Sequence, residues 1–132
     1  MSRSDGAVTA SDNGFVRVLL VDDEEIFRAV GRSLLEATPG FTLVGEAIDG
    51  EAALERVAVL RPDLVLMDCR MSPLDGIAAS RRIVEARPGT AVLLMSVDGL
   101  SAEVLAGSGA IGFVRKQHLS PGRLERIWAD RP

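Results

Sequence analysis

The sequence predicts an α/β fold: a parallel sheet of five strands with helices packed on both faces. Three observations carry that prediction. Five apolar runs recur along the chain, each too short for a helix and right for a buried strand. Amphipathic stretches with helical spacing alternate with them. The runs are apolar nearly throughout, so both of their faces must be covered, as in parallel sheets built from strand–helix–strand units.

Residues 1–14 are rich in Ser, Asp, Gly, Ala and Thr and show no periodicity. They read as a flexible lead-in, with one folded domain over residues 15–132. The first strand runs from Phe15 to Val21, interrupted only by Arg17, and ends in Asp22-Asp23-Glu24-Glu25. Ile26, Phe27, Val30, Leu34 and Leu35 then recur at helical spacing, giving a helix over Glu25–Ala37. Glu24 and Glu25 suit the positive end of that helix, whereas Asp22 and Asp23 sit on the lip of the strand. Pro39-Gly40 breaks the chain before a second strand, Phe41–Ala47, which alternates weakly. The second helix, Gly50–Leu60, carries Ala53, Leu54, Val57 and Leu60 on one face, and Arg61-Pro62 ends it, since the residue before proline avoids the helical conformation.

Leu64-Val65-Leu66-Met67 is the third strand, and it stops at a single carboxylate, Asp68. Turn chemistry follows in Ser72-Pro73 and Asp75-Gly76, with Asp75 placed to cap a third helix carrying Ile77, Ala78, Ile83 and Val84. After Pro88-Gly89, Ala91–Met95 is the fourth strand and ends at Ser96. Gly99, Gly107 and Gly109 leave only Ser101–Ala106 able to support a helix, so helix four is expected to be short. The fifth strand, Ile111–Val114, leads to Arg115 and Lys116. Ser120-Pro121 opens the last helix, whose apolar face is Leu124, Ile127 and Trp128.

Composition narrows the function. At 132 residues one domain is the default, and with 47% hydrophobic but 4% aromatic content its core must be aliphatic. Against 19 acids stand 15 Lys and Arg, a net charge of −4, which gives no footprint for direct nucleic-acid binding. A lone Cys69 excludes an internal disulfide and fits a reducing cytoplasm. No run approaches the ~20 apolar residues of a membrane span, and no signal core stands at the N-terminus.

In a parallel sheet the C-terminal ends of all strands share one rim. Here that rim gathers Asp22 and Asp23 from strand one, Asp68 from strand three, Ser96 from strand four and Lys116 from strand five. Clustered carboxylates cannot all stay ionised unless a cation joins them. Oxygen ligands without His or Cys suit Mg²⁺, which keeps open positions for phosphate oxygens. An Asp beside such an ion can act as the nucleophile that forms an acyl phosphate, with Lys116 balancing phosphoryl charge and Ser96 donating to a phosphoryl oxygen.

From about Val16 to Ala129 the chain resembles the receiver domain of a two-component response regulator. The motifs that carry the resemblance are V-L-L-V-D-D, D-L-V-L-M-D followed by M-S-P-L-D-G, L-L-M-S and G-F-V-R-K. The resemblance implies a doubly wound flavodoxin-like sheet of order 2-1-3-4-5. It implies Asp68 as phosphoacceptor, Asp22, Asp23, Asp68 and the Arg70 backbone carbonyl as Mg²⁺ ligands, Lys116 as the motif lysine, and Ser96 with Phe113 as a switch pair. A sensor histidine kinase or a phosphotransfer protein would supply the phosphoryl group, and the strand 4/helix 4/strand 5/helix 5 surface would change in response. That same helix 4/strand 5/helix 5 face could pair two copies. No catalytic activity of its own is expected beyond this.

The sequence also departs from the family pattern. Ser72 intervenes between Met71 and Pro73, Val97 stands where a smaller residue is frequent, and Gln117 follows Lys116 in place of the frequent Pro. Arg70 and Glu24 flank the site and are expected to tune the lifetime of the acyl phosphate. His118, Cys69 and Trp128 read as structural or surface residues. Alternatives include a degenerate receiver that binds partners without phosphorylation. An Asp-dependent phosphatase is disfavoured because Arg70 stands where its second Asp belongs, and a flavin carrier because the Asp22–Glu25 acids would repel its phosphate. The chain reads equally as a stand-alone receiver or as the receiver portion of a LuxR-type transcription factor.

Overall fold

A computed structural model of the chain describes residues 14–132. All of the expected lead-in except Gly14 lies outside the described residues. The chain alternates β1 (Val16–Val21), α1 (Glu25–Glu36), β2 (Phe41–Ala47), α2 (Gly50–Leu60), β3 (Leu64–Asp68), α3 (Gly76–Ala86), β4 (Ala91–Ser96), α4 (Ala102–Ser108), β5 (Gly112–Arg115) and α5 (Pro121–Ala129), with one 3-10 turn at Lys116–His118. The five strands form one parallel sheet in the order β2-β1-β3-β4-β5. Both the architecture and the order agree with expectation.

Alternation within the strands builds two cores, one on each face. Leu19, Val21, Val65, Met67, Val92 and Leu94 face α2, α3 and α4. Val18, Leu20, Leu64, Leu66, Leu93 and Met95 face α1 and α5, where they meet Leu35, Leu124, Ile127 and Trp128. β3 lies at the centre of the sheet and is buried at all five positions. Burying each such aliphatic side chain contributes roughly 1.5–3 kcal/mol, so the strand that ends in Asp68 is the best anchored.

Local details follow from individual residues. Arg17, the polar interruption in β1, sends its guanidinium to the carbonyls of Leu60 and Arg61 at 2.9 and 2.8 Å. It thus satisfies acceptors that the end of α2 leaves unpaired. Asp49, Asp75, Ser101 and Ser120 cap α2, α3, α4 and α5 by accepting the backbone N–H three residues on. β1 and β2 slip register between Val18 and Leu19, a bulge at Val44. Beside it, a Cβ on Gly45 would come within 2.6 Å of Leu60 Cδ1.

Several boundaries differ from the sequence reading, β1 among them, which starts at Val16 and not Phe15. Helix α1 stops at Glu36, with Ala37 as its cap. Strand β5 runs one residue later than predicted, because Arg115 still pairs with Ser96. Helix α4 is short, as expected, but extends to Ser108. Ser80 Oγ donates to the Ser108 carbonyl (2.9 Å) and Arg81 Nε to that of Gly107 (3.1 Å), and Gly109 then ends the helix at φ 78°. Among the described residues no helix is long and apolar enough to cross a membrane.

Candidate functional site

β1 ends at Val21, so Asp22 is the first residue beyond the sheet and Asp23 the second. Asp22 is fully buried. Its Oδ1 accepts the Glu24 N–H at 2.9 Å, which turns the chain into α1, and its carbonyl accepts Arg28 Nη1 at 2.8 Å. β3 delivers Asp68 to the same level, 6% exposed, and β4 delivers Ser96, 3% exposed. Gly76 makes this arrangement possible at the other side of the loop: any Cβ there would lie 1.9 Å from the Asp68 carbonyl oxygen. Only a residue without a side chain lets α3 start this close to the strand end.

One carboxylate oxygen from each of Asp22, Asp23 and Asp68 lies within 4.8 Å of the other two. Into this group the chain after β5 inserts Lys116. Its Nζ is 2.6 Å from Asp22 Oδ2, 3.4 Å from Glu24 Oε1 and 3.8 Å from Asp68 Oδ1. It also stands 4.5 Å above the centre of the Phe27 ring, which screens one side of the ammonium. Asp22, Asp23, Asp68, Ser96 and Lys116 thus meet on one rim, as the strand ends foretold. Phe113 lies one strand over, half-buried in β5 opposite Leu94, against the core under α4.

Electrostatics follow from the crowding. Burial first, and then the charge of Asp22, push the Asp68 carboxyl up to about 6, while Lys116 and the Arg70 backbone N–H pull it back. For Lys116, burial works against the charged form, but the Asp22, Asp68 and Glu24 contacts outweigh it and the net shift is upward. Cys69 is pushed up to about 11, by burial and then by Asp68, so it stays a protonated thiol beside the acids.

The acids exceed the single ammonium among them. Asp22 Oδ2 is buried and has no donor aligned on it for a hydrogen bond, Lys116 being close but off-axis. Oxygen-only donors, two of them buried and one open to water, fit a hard divalent cation that keeps part of its water shell. A cleft of about 500 Å³ opens beside them, lined by Asp23, Cys69, Arg70, Met71, Ser96 and Leu100 among others.

The model of the family "Response regulator receiver domain" matches residues 18–127. The chain belongs to that family. Receiver domains take phosphoryl groups from histidine kinases or phosphotransfer proteins and bind Mg²⁺ at an acidic pocket. Among similar proteins is the two-component response regulator ORR41 of Oryza sativa subsp. japonica, 47% identical over 76% of this chain and 83% of that protein. A protein-glutamate methylesterase/protein-glutamine glutaminase of Geobacter sulfurreducens is 37% identical over 87% of this chain but 33% of its own length. The chain therefore spans about a third of the methylesterase relatives that it matches. In structure it resembles the response regulator domain of Thermotoga maritima CheB, with a TM-score of 0.74 at 31% identity over 87% of this chain and 95% of that one. The signal receiver domain of the putative NarL from Mycobacterium tuberculosis gives 0.77 at 31% identity, over 88% and 94%.

Glu24 was expected beside this receiver site, and residue-by-residue reading missed three further participants. Glu24 reaches Lys116 at 3.4 Å, in keeping with that expectation. Phe27, read as a core residue of α1, has its ring under the same ammonium. Asp98, in the loop after β4, pairs with Arg70, and Gln117 reaches the same loop from the turn after β5. Only Gln117 carried a signal, as a departure at the position after Lys116.

Proposed function

We propose that this chain is a phosphoacceptor switch in which Asp68 receives a phosphoryl group from a sensor histidine kinase or phosphotransfer protein. The observation that carries the reading is the meeting of three carboxylates and one ammonium from three separate strand ends. The receiver unit is taken as residues 15–132, working in the cytoplasm. Asp22, Asp23, Asp68 and the backbone carbonyl of Arg70 would hold Mg²⁺. The ion supplies positive charge that offsets the clustered acids and the charge on a transferring phosphoryl group.

The chain's own residues perform the rest. Asp68, with its carboxyl near 6 before any cation binds, is mostly ionised at neutral pH and can attack. One carboxylate oxygen forms a bond to phosphorus as the bond from phosphorus to the donor breaks, P–N for a phosphohistidine or P–O for acetyl phosphate. The electron pair leaves with the donor and an acyl phosphate remains. Lys116 lies 3.8 Å from Asp68 and follows the negative charge onto the phosphoryl oxygens. Before transfer, the Ser96 hydroxyl oxygen accepts the Asp98 N–H at 3.2 Å, which leaves its hydrogen free for a phosphoryl oxygen. Such a bond draws the loop after β4 inward, and Phe113, half-buried at its flank, is the side chain placed to follow.

A donor protein must reach this rim, and the exposed apolar side chains that border it are Ile26, Val30 and Val97. The output surface is the α4–β5–α5 face, acting on a partner, on a second copy or on a DNA-binding half. Incubation with acetyl phosphate and Mg²⁺ tests the reading. An alkali-labile phosphoryl adduct is expected on wild type and none on Asp68→Asn. An equal adduct on both proteins, or none on either, contradicts it.

A further inference from the structure

The loop between β4 and α4 is held by side chains that reach it from two directions. From the loop after β3, Arg70 Nη2 lies 3.7 Å from Asp98 Oδ2. From the turn after β5, Gln117 Nε2 donates to the Val97 carbonyl at 3.3 Å. The far end of α4 is anchored separately, through Ser80 to Ser108 and Arg81 to Gly107. Helix α4 is therefore pinned at its C-terminal end, while its N-terminal approach is held by two polar contacts that water can replace. Val97 and Gln117 are both positions at which the sequence departs from the family pattern, and the structure brings them together. A proline at position 117 would have no side-chain donor to offer.

We propose that Gln117 and Arg70 brace the β4–α4 loop in its resting position, and that a phosphoryl group on Asp68 releases the Arg70 half by competing for its guanidinium. The brace stands on the contacts alone; its release rests on the phosphoacceptor reading. The Arg70–Asp98 side chains are 68% and 70% exposed, and such a pair stabilises little and is readily given up. An acyl phosphate offers three acceptor oxygens and nearly two negative charges, which a guanidinium can grip with two parallel hydrogen bonds. Arg70 stands two residues after Asp68 and lines the same cleft as Ser96. Asp98, once freed, no longer ties the loop to β3. Its own N–H donates to Ser96 Oγ, so the loop and the hydroxyl move together. Gln117 is a positioning residue: its bond survives phosphorylation less well the further the loop moves, so it biases the protein toward rest.

Amide hydrogen exchange on the free protein tests the brace without any phosphoryl donor. Gln117→Met keeps the side-chain length and removes the donor; Asp98→Asn removes the ion pair. Each should raise exchange at Asp98 and Gly99 by roughly 3- to 10-fold, with the α1 and β3 amides unchanged. Exchange equal to wild type in both variants overturns the brace. Titration with beryllofluoride and Mg²⁺ then tests the release. Both variants should bind it roughly 2- to 5-fold more tightly than wild type, since less work is needed to leave the resting state. Unchanged affinity overturns the coupling. If wild type takes up no beryllofluoride at all, the phosphoacceptor reading fails, and the exchange data still decide the brace.

Discussion

Lys116 faces three acids across distances of 2.6 to 3.8 Å, and Asp22 among them has no exposure to water. Breaking a buried pair leaves a charge without compensation, which costs more than the pair itself contributes. Lys116→Met is therefore expected to destabilise the metal-free protein by about 2–4 kcal/mol. Urea unfolding followed by the single tryptophan, Trp128, measures it. Asp68 acts in the opposite sense. The folded state holds its proton up to about 6, whereas an unfolded Asp titrates near ~3.9. That contribution to stability is complete below the unfolded value and is lost as pH rises through about 6. Without Mg²⁺, Asp68→Asn should thus be more stable than wild type at pH 7–8 by on the order of 1–2 kcal/mol after allowance for solvent screening, and the gap should close toward pH 4. Cys69, buried and pushed up to about 11, should react with alkylating reagents at neutral pH only as fast as the protein unfolds. Rapid labelling of the native protein would contradict that placement.

At the scale of elements, the strand-to-helix turns set the geometry, and the loop after β3 is the most constrained of them. Gly76→Ala would press a Cβ against the Asp68 carbonyl, and backbone on one side and a helix start on the other leave little room to relax. A loss of about 2–4 kcal/mol is expected, together with weakened cation binding, because Asp68 itself must move. Calorimetry with and without Mg²⁺ checks both effects. These turns also show what the sequence could reveal. Strand ends and caps such as Asp75 and Ser120 were legible because one residue type at one position suffices. The end of α4 was not, since its last residues are held by Ser80 and Arg81 from α3, and such support leaves no local mark. For the same reason the bulge at Val44 went unseen: it answers to the register of β1, not to β2's own pattern.

Across the whole molecule, one sheet carries two aliphatic cores and a single polar rim. The architecture was readable because five apolar runs and five helical patterns admit few arrangements. The grouping of the acids followed from parallel topology alone. What could not be read was pairing between loops: nothing local in Asp98 or Gln117 announces Arg70 or Val97 as partners. Core and rim are energetically linked, since any cation that binds only the folded chain stabilises it in proportion to its concentration. Leu66→Ala, at the centre of the sheet, should cost about 2–5 kcal/mol while leaving the rim chemistry intact, and saturating Mg²⁺ should recover part of that loss in thermal unfolding.

The most direct measurement is calorimetric titration of Mg²⁺ into wild type and into Asp22→Asn, Asp23→Asn, Asp68→Asn and the remote Asp63→Asn. The acids are expected to share one ion. Wild type and Asp63→Asn should then bind a single Mg²⁺ equally, with each of the other three weakened by roughly 10-fold or more. Binding by Asp22→Asn and Asp68→Asn as tight as wild type, or no binding by wild type, would contradict a shared cation site on this rim.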